Sequence, residues 1–351
     1  MLARWCRGAL AAALLTAAAS ALGQARAAEV YAPDQELVEA ARKEGQVLWY
    51  TTLIVDQIVR PMIKAFNAQV PGIDVRFVRI DSGQQVARLM NEARVGRVQA
   101  DVWAVIDGAA PLAQHNVAAE FDIASQKGLP AALADPNRRW IATNLASRSL
   151  AYNTTLVAQE QAPKTYQDLL DPRWKGKLVW NPNAMTGAWG FIATVLSHMG
   201  EDQGMAYLRK LARQQIVPVP IATRAVLDRV IAGEYPIGLE MVNAHAAISL
   251  EKGAPVRWVP LDAVTTTLQV AGVTTGAPHP NAGRLFLDFI TSRSGQDLFR
   301  AANYIPMHPD IPAKDPWLKA EQGGYKSIVL SPEEVDNNAP RYQKIYQDIF
   351  R

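Results

Sequence analysis

From residue 46 onward, short apolar runs alternate with stretches in which apolar residues recur every three or four positions. Residues 46–50 (QVLWY), 73–80 and 100–106 read as buried strands, and 58–69, 84–94 and 109–116 as helices, with Ile58, Met62, Ile63 and Phe66 on one face of the first. This βαβ rhythm predicts an α/β chain built on a mostly parallel, doubly wound sheet. Such sheets bind ligands beyond the carboxyl ends of their strands, here the loops at Thr51, Ser82 and Asp107.

Residues 140–152, WIATNLASRSLAY, are long, extended and half apolar, and read as a strand crossing from one lobe to another; 265–273 is the return crossing. Between them lie helical patterns at 202–213 and 224–232, a strand at 236–241 running into Val242-Asn243-Ala244, and a strand at 256–261. Helices at 281–291 and 294–302 return to the first lobe, and 342–350 closes the chain. The expected architecture has two lobes, each a mostly parallel doubly wound sheet, joined by a two-strand hinge. Lobe 1 takes 28–146 and 272–351, and lobe 2 takes 147–271.

The segment 165–190, TYQDLLDPRWKGKLVWNPNAMTGAWG, carries the most local information. A short helix at 166–170 is ended by Pro172 and by Lys175-Gly176, since proline cannot continue the hydrogen-bond ladder and glycine accepts positive φ. A strand at 177–180 follows. The loop through Asn181-Pro182 and Met185-Thr186-Gly187-Ala188 then enters an apolar helix at 189–199. Unpaired N–H groups at that helix start would favour an anion.

Charge and cysteine usage change the picture at the N-terminus. Arg4 and Arg7, the apolar run 8–23 and Ala25-Arg26-Ala27 have the three regions of a secretory signal over 1–27, with the mature chain starting near Ala28 or Glu29. The chain carries 36 basic and 33 acidic residues, and the leader holds three arginines and no acid, so the mature chain is neutral. A neutral surface without basic clusters excludes nucleic acid as a partner. Cys6, the single cysteine, leaves with the leader, so stability must come from a large core rather than disulfides. No GxSxG, GxGxxG or P-loop occurs, and His115, His198, His245, His279 and His308 have no zinc spacing. The expectation is a binding protein, not an enzyme, with no cofactor and no resident metal.

The motifs VLWYTT (47–52), QADVWAVID (99–107), RSLAYNTTLV (148–157), TYQDLLDPRWKGKLV (165–179), RVIAGEYPIGL (229–239) and GAPHPNAGRLFLDFITSRSGQDLF (276–299) occur in an order that resembles the periplasmic solute-binding proteins of ABC importers. The resemblance is to the type II cluster, which includes ferric-ion binders and relatives taking phosphonates, sugar phosphates or thiamine. It covers nearly the whole mature chain. It implies a type II periplasmic binding protein fold, a periplasmic monomer, hinge closure on a small solute, and delivery to an inner-membrane ABC permease.

Ferric members of that cluster hold iron with tyrosines, typically a Tyr-Tyr pair in the second lobe. Here the corresponding segment reads Val242-Asn243-Ala244-His245-Ala246, which favours a small anionic solute (phosphonate, phosphate ester or carboxylate) over ferric ion. Ferric capture, and service as the ligand-binding module of a membrane sensor, remain the alternatives. Related proteins use an arginine where RSLAYN places Arg148, whose planar fork suits a carboxylate or phosphoryl group; an interlobe salt bridge is its structural alternative. Thr51, Thr52, Ser82, Gly83, Thr186, Gly187 and Ala188 are expected to supply neutral donors, although any one hydroxyl could simply cap a helix. Asp107 and Asn243 would read the rest of the ligand, Asp107 alternatively capping the helix after Gly108. Glu240 is a weaker candidate for a ligand amine. Trp49, Trp103 and Trp180 are expected in the core, Trp189 in the core or beside the cleft, Tyr342 and Tyr346 in packing, and Arg138 and Arg139 in solvent.

Overall fold

A computed structural model describes residues 31–351, so the expected leader, Cys6 and the cleavage point near Ala28 lie outside the described residues. Along the chain, α1 (Gln35–Glu44) precedes β1 (Gln46–Thr51), α2 (Arg60–Gln69) precedes β2 (Asp74–Arg79), and α3 (Ser82–Arg94) precedes β3 (Val102–Val105) and α4 (Ala109–Gln114). The long crossing strand is β4 (Ile141–Asn153). Then come β5 (Leu178–Trp180), α5 (Ala188–Met199), α6 (Glu201–Ala212), β6 (Val217–Pro218), α7 (Thr223–Ile231), β7 (Ile237–Val242), α8 (Asn243–Glu251) and β8 (Val256–Val259). The return crossing is β9 (Val264–Val273), followed by α9 (Pro280–Thr291), α10 (Arg293–Ala301), β10 (Ile305–Pro306), α11 (Ala320–Gly323), β11 (Ser327–Leu330) and α12 (Pro332–Phe350). Asn243 opens a helix that the apolar pattern did not reveal, because α8 is apolar on most of its surface and has no periodic polar face.

The strands join in the order β2-β1-β3-β9-β4-β7-β5-β6, with β8 and β10 also on β4 and β11 on β9. Both wings are parallel, β1 with β2 and β3 at one end and β5 with β6 and β7 at the other. The middle is the antiparallel pair β4 and β9, paired from Ile141↔Ala271 to Arg148↔Thr265 with a register shift between Ala142 and Asn144. These two strands carry the chain from one wing to the other, which is the two-strand connection expected from 140–152 and 265–273.

Each wing has its own aromatic core. In the first, Phe286 packs edge-to-face on Trp49 and Phe66, with ring centroids 5.3 and 5.1 Å away. In the second, Trp180 meets Phe191, Tyr346 and Phe350 at 5.9, 5.9 and 4.9 Å. Tyr342 and Tyr346 are therefore packing residues, and Trp103 is also fully buried. Helix α12 starts with a capping box, Ser331 Oγ accepting from Glu334 N and Glu334 Oε2 from Ser331 N. Its first turns also reach the first wing, where Glu333 accepts from the Trp140 indole at 3.2 Å.

Candidate functional site

The carboxyl ends of β1, β2 and β3 in one wing face the starts of α7 and α8 in the other, and the space between them is a cavity of about 470 Å³. Its floor is the crossing pair, through Asn144, Ala146 and Arg148 of β4 and Gln269 of β9. Lining residues from one side are Thr52, Arg79, Asp81, Ser82, Gly83 and Asp107; from the other, Asn181, Asn183, Thr186, Thr223, Arg224, Val242 and His245. Tyr304 closes it from the segment after α10.

Arg148 is 1 % exposed, and its Nε has no hydrogen-bond partner. Its Nη1 donates to the Thr267 hydroxyl. Burial works against the guanidinium charge, while Glu240 and Asp107 support it from a distance; no salt bridge is formed. Glu240, also fully buried, has its carboxyl pushed up to about 8 by burial, against the pull of Arg148 and of the Thr265 hydroxyl. It lies in β7 where Leu239 and Glu240 oppose the single residue Leu150, and its φ of 59° lies in the left-handed region. It does not line the cavity.

Two more arginines stand at the rim. Arg79 lies 3.4 Å from Asp81. Arg224 donates from Nη2 to Asp228 at 2.7 Å and from Nη1 to the His245 carbonyl at 3.3 Å. His245 is held down to about 3, mainly by burial and further by Arg224, Arg148 and Arg79, so its imidazole is neutral at pH 7. Its Nδ1 is buried without a partner. The first turns of α3, α7 and α8 all border the cavity, through Ser82 and Gly83, Thr223 and Arg224, and Ala244 and His245. Helix N-termini carry partial positive charge and favour anions.

Of the ten residues singled out from sequence, Thr52, Ser82, Gly83, Asp107, Arg148 and Thr186 line this cavity. The Thr52 hydroxyl accepts from Gln269 Nε2 at 2.7 Å, which leaves its own hydrogen free to donate. Ser82 Oγ accepts from Ile106 N at 3.1 Å and bonds the Asp107 carboxyl, so it positions Asp107. Asp107 does not cap α4. Asp336 of α12 does, its two oxygens accepting from Gly108 N and Ala110 N at 2.8 and 2.9 Å. Burial, the largest influence, pushes the Asp107 carboxyl above its ordinary range.

The other four do not line the cavity. Thr51 is fully buried and its hydroxyl accepts from Leu53 N within its own turn. Gly187 N donates to Ala184 O at 3.0 Å and Ala188 N to Asn181 O at 2.8 Å, so the start of α5 has spent the N–H groups expected to be free. Gly187 is required by close approach: a Cβ there would lie 2.3 Å from Asn181 O. Asn243 turns away, its Nδ2 donating to Leu318 O at 2.7 Å and its Oδ1 accepting from Ala244 N. Arg138 is held by Asp122 at 2.6 Å and Arg139 by Ala113 O at 2.7 Å.

Arg79, Arg224, Asn181, Asn183, Gln269 and Tyr304 were not anticipated. Arg79 ends a strand at the predicted carboxyl edge, and that position was the available signal. An arginine in the first turn of an amphipathic helix, as Arg224 is, reads as solvated.

A Salmonella typhimurium protein, provisionally named a 2-aminoethylphosphonate-binding periplasmic protein, is 26% identical over 265 residues, 73% of this chain and 76% of its own. The periplasmic binding protein AfuA of Actinobacillus pleuropneumoniae, solved with fructose-6-phosphate, superposes with a TM-score of 0.72 at 20% identity, over 87% of this chain and 98% of that one. Iron-bound HitA of Pseudomonas aeruginosa gives 0.69 at 23% identity, over 87% and 99%. These two likenesses show the fold, the two-lobed type II periplasmic binding fold. Residues 61–323 match the family of bacterial extracellular solute-binding proteins, three quarters of the chain, and the protein belongs to that family.

Proposed function

We propose that this protein is the periplasmic solute-binding component of an ABC importer and captures a small organic anion, a phosphonate, phosphate ester or carboxylate, without covalent chemistry. The observation that carries the reading is Arg148, a buried guanidinium with no carboxylate partner on the floor of a cavity bordered by three helix N-termini. A buried charge left unpaired is costly, and an incoming anion would relieve that cost. Thr52 supplies a hydroxyl hydrogen, and Gly83, Thr186 and the start of α8 supply further donors. β4 and β9 would act as the hinge between lobe 1 (28–146 and 272–351) and lobe 2 (147–271). Closure would bury the ligand and complete a surface spanning both lobes for the permease, with the protein acting as a monomer.

Ferric capture finds less support. Tyr304 is the one tyrosine on the cavity wall, with its phenol pushed up to about 12 mainly by burial. Among the described residues no group of three His, Cys, Asp or Glu could hold a metal. The alternative role, sensing for a membrane partner, would use the same ligand site. No described helix is long and apolar enough to cross a membrane.

The test is the thermal midpoint of protein unfolded and refolded to strip carried solute, against a panel of small anions and ferric ion. A ligand at a hundredfold excess over its Kd stabilises by about 2.7 kcal/mol. A rise with an organic anion, lost in Arg148→Ala, supports the reading; a rise with ferric ion alone, in a coloured sample, overturns it.

A further inference from the structure

The cavity continues into a second chamber of about 430 Å³, and the two share Gly83, Asp107, Asn183 and Ala184 on their walls. Their charged linings differ. The main cavity is lined by Arg79, Arg148 and Arg224 beside Asp81 and Asp107, whereas the chamber is lined by two carboxylates, Asp107 and Asp336, and by no basic residue. Asp107 stands at the junction. The charged groups around this pair are Arg148 on the cavity side, Asp81 at the start of α3 and Glu333 in α12, and Arg148 is the one cation among them. The remaining chamber wall includes Met185, Trp189 and Val335, which offer apolar surface to a carbon chain.

Both carboxyls are destabilised as anions, first by burial, and Asp107 raises Asp336 further. Because Asp336 caps α4, Asp107 is not committed to that helix, and its one side-chain donor is Ser82. A cation placed beside it would relieve the repulsion and complete its hydrogen bonding.

Resting on the reading of the cleft as an anion site, we propose that the solute is a zwitterion: its anionic head sits at Arg148, and an alkylammonium arm passes Asp107 into the chamber walled by α12. The cleft is thereby a charge-separated site, positive at the crossing strands and negative toward α4 and α12. Asp107 is the residue that selects for the ammonium, and Asp336 positions α4 and adds to the field.

The test uses refolded, ligand-free protein and calorimetric titration with matched pairs that differ in the terminal group. The probes are 2-aminoethyl-, 3-aminopropyl- and 4-aminobutylphosphonate against propyl-, butyl- and pentylphosphonate, with phosphoethanolamine against propyl phosphate and 4-aminobutanoate against pentanoate. The expected result is that within the preferred head class the amine binds at least about tenfold tighter than its alkyl partner, the scale of a charge-assisted hydrogen bond. In Asp107→Asn the ratio should collapse to near unity while the alkyl ligand still binds. A merely structural defect would weaken both members and keep the ratio. Equal binding of amine and alkyl members, with both lost in Arg148→Ala, would overturn the zwitterion and leave the anion site standing. No binding by either member of every pair would overturn both.

Discussion

Glu240→Gln separates the charge of one buried carboxyl from its shape. Glu240 is 3 % exposed, its Oε2 has no partner, and its Oε1 accepts only a 3.4 Å bond from the Thr265 hydroxyl. In the folded protein the carboxyl is pushed up to about 8 from 4.5. A group whose folded pKa is raised holds its proton more tightly when folded, so the native state binds one proton more than the unfolded chain between the two values. Stability must then fall as pH rises through that window, at about 1.4 kcal/mol per pH unit. Over the interval from 4.5 to about 8 the loss accumulates to about 5 kcal/mol, an upper figure because local relaxation and water would reduce it. Glutamine keeps the volume and cannot ionise. Urea unfolding of ligand-free wild type and Glu240→Gln from pH 5 to 9 should give curves that nearly meet at the acid end and separate steadily, the variant being the more stable by several kcal/mol at pH 9. Parallel curves would refute the reasoning, since they would mean that Glu240 titrates alike in both states or that Arg148 compensates it fully.

Arg148→Met should abolish the response to anions without lowering the ligand-free thermal midpoint at pH 6, because it removes an unpaired buried charge; a lowered midpoint would mark Arg148 as structural. Gly187→Ala must push a Cβ against Asn181 O and should cost about 2–3 kcal/mol in chemical denaturation, whereas Gly83→Ala, whose Cβ would meet nothing within 4 Å, should stay within about 1 kcal/mol of wild type. Asp336→Ala removes both acceptors from the start of α4 and should cost about 1–2 kcal/mol, with faster amide exchange at Gly108 and Ala110 as its local signature.

The strand and helix periodicities, the two crossing strands and the placing of Thr52, Ser82, Gly83, Asp107, Arg148 and Thr186 near strand ends were legible from sequence, because each is a property of a short run of consecutive residues. A half-apolar run of 13 residues, Ile141–Asn153, can bury one strand across two wings and little else. What the chain alone could not reveal is how local groups spend their hydrogen bonds. Gly187 and Ala188 have the sequence of an open helix start, yet the fold turns their N–H groups onto Ala184 and Asn181. Asn243 has the position of a ligand contact, yet it is claimed by Leu318, 75 residues away. Asp107 has the sequence of a helix cap, yet Asp336, 228 residues beyond Gly108, takes the cap and leaves Asp107 at the mouth of the side chamber. Arg79 and Arg224 become cleft residues only because two wings meet. Sequence determined most of the elements that form and which edge of the sheet faces the cavity, since burial of apolar periodicity is local. Tertiary structure alone decided which polar groups remain unsatisfied at that edge, since a hydrogen bond goes to whichever partner the folded chain brings within about 3 Å, however distant in sequence.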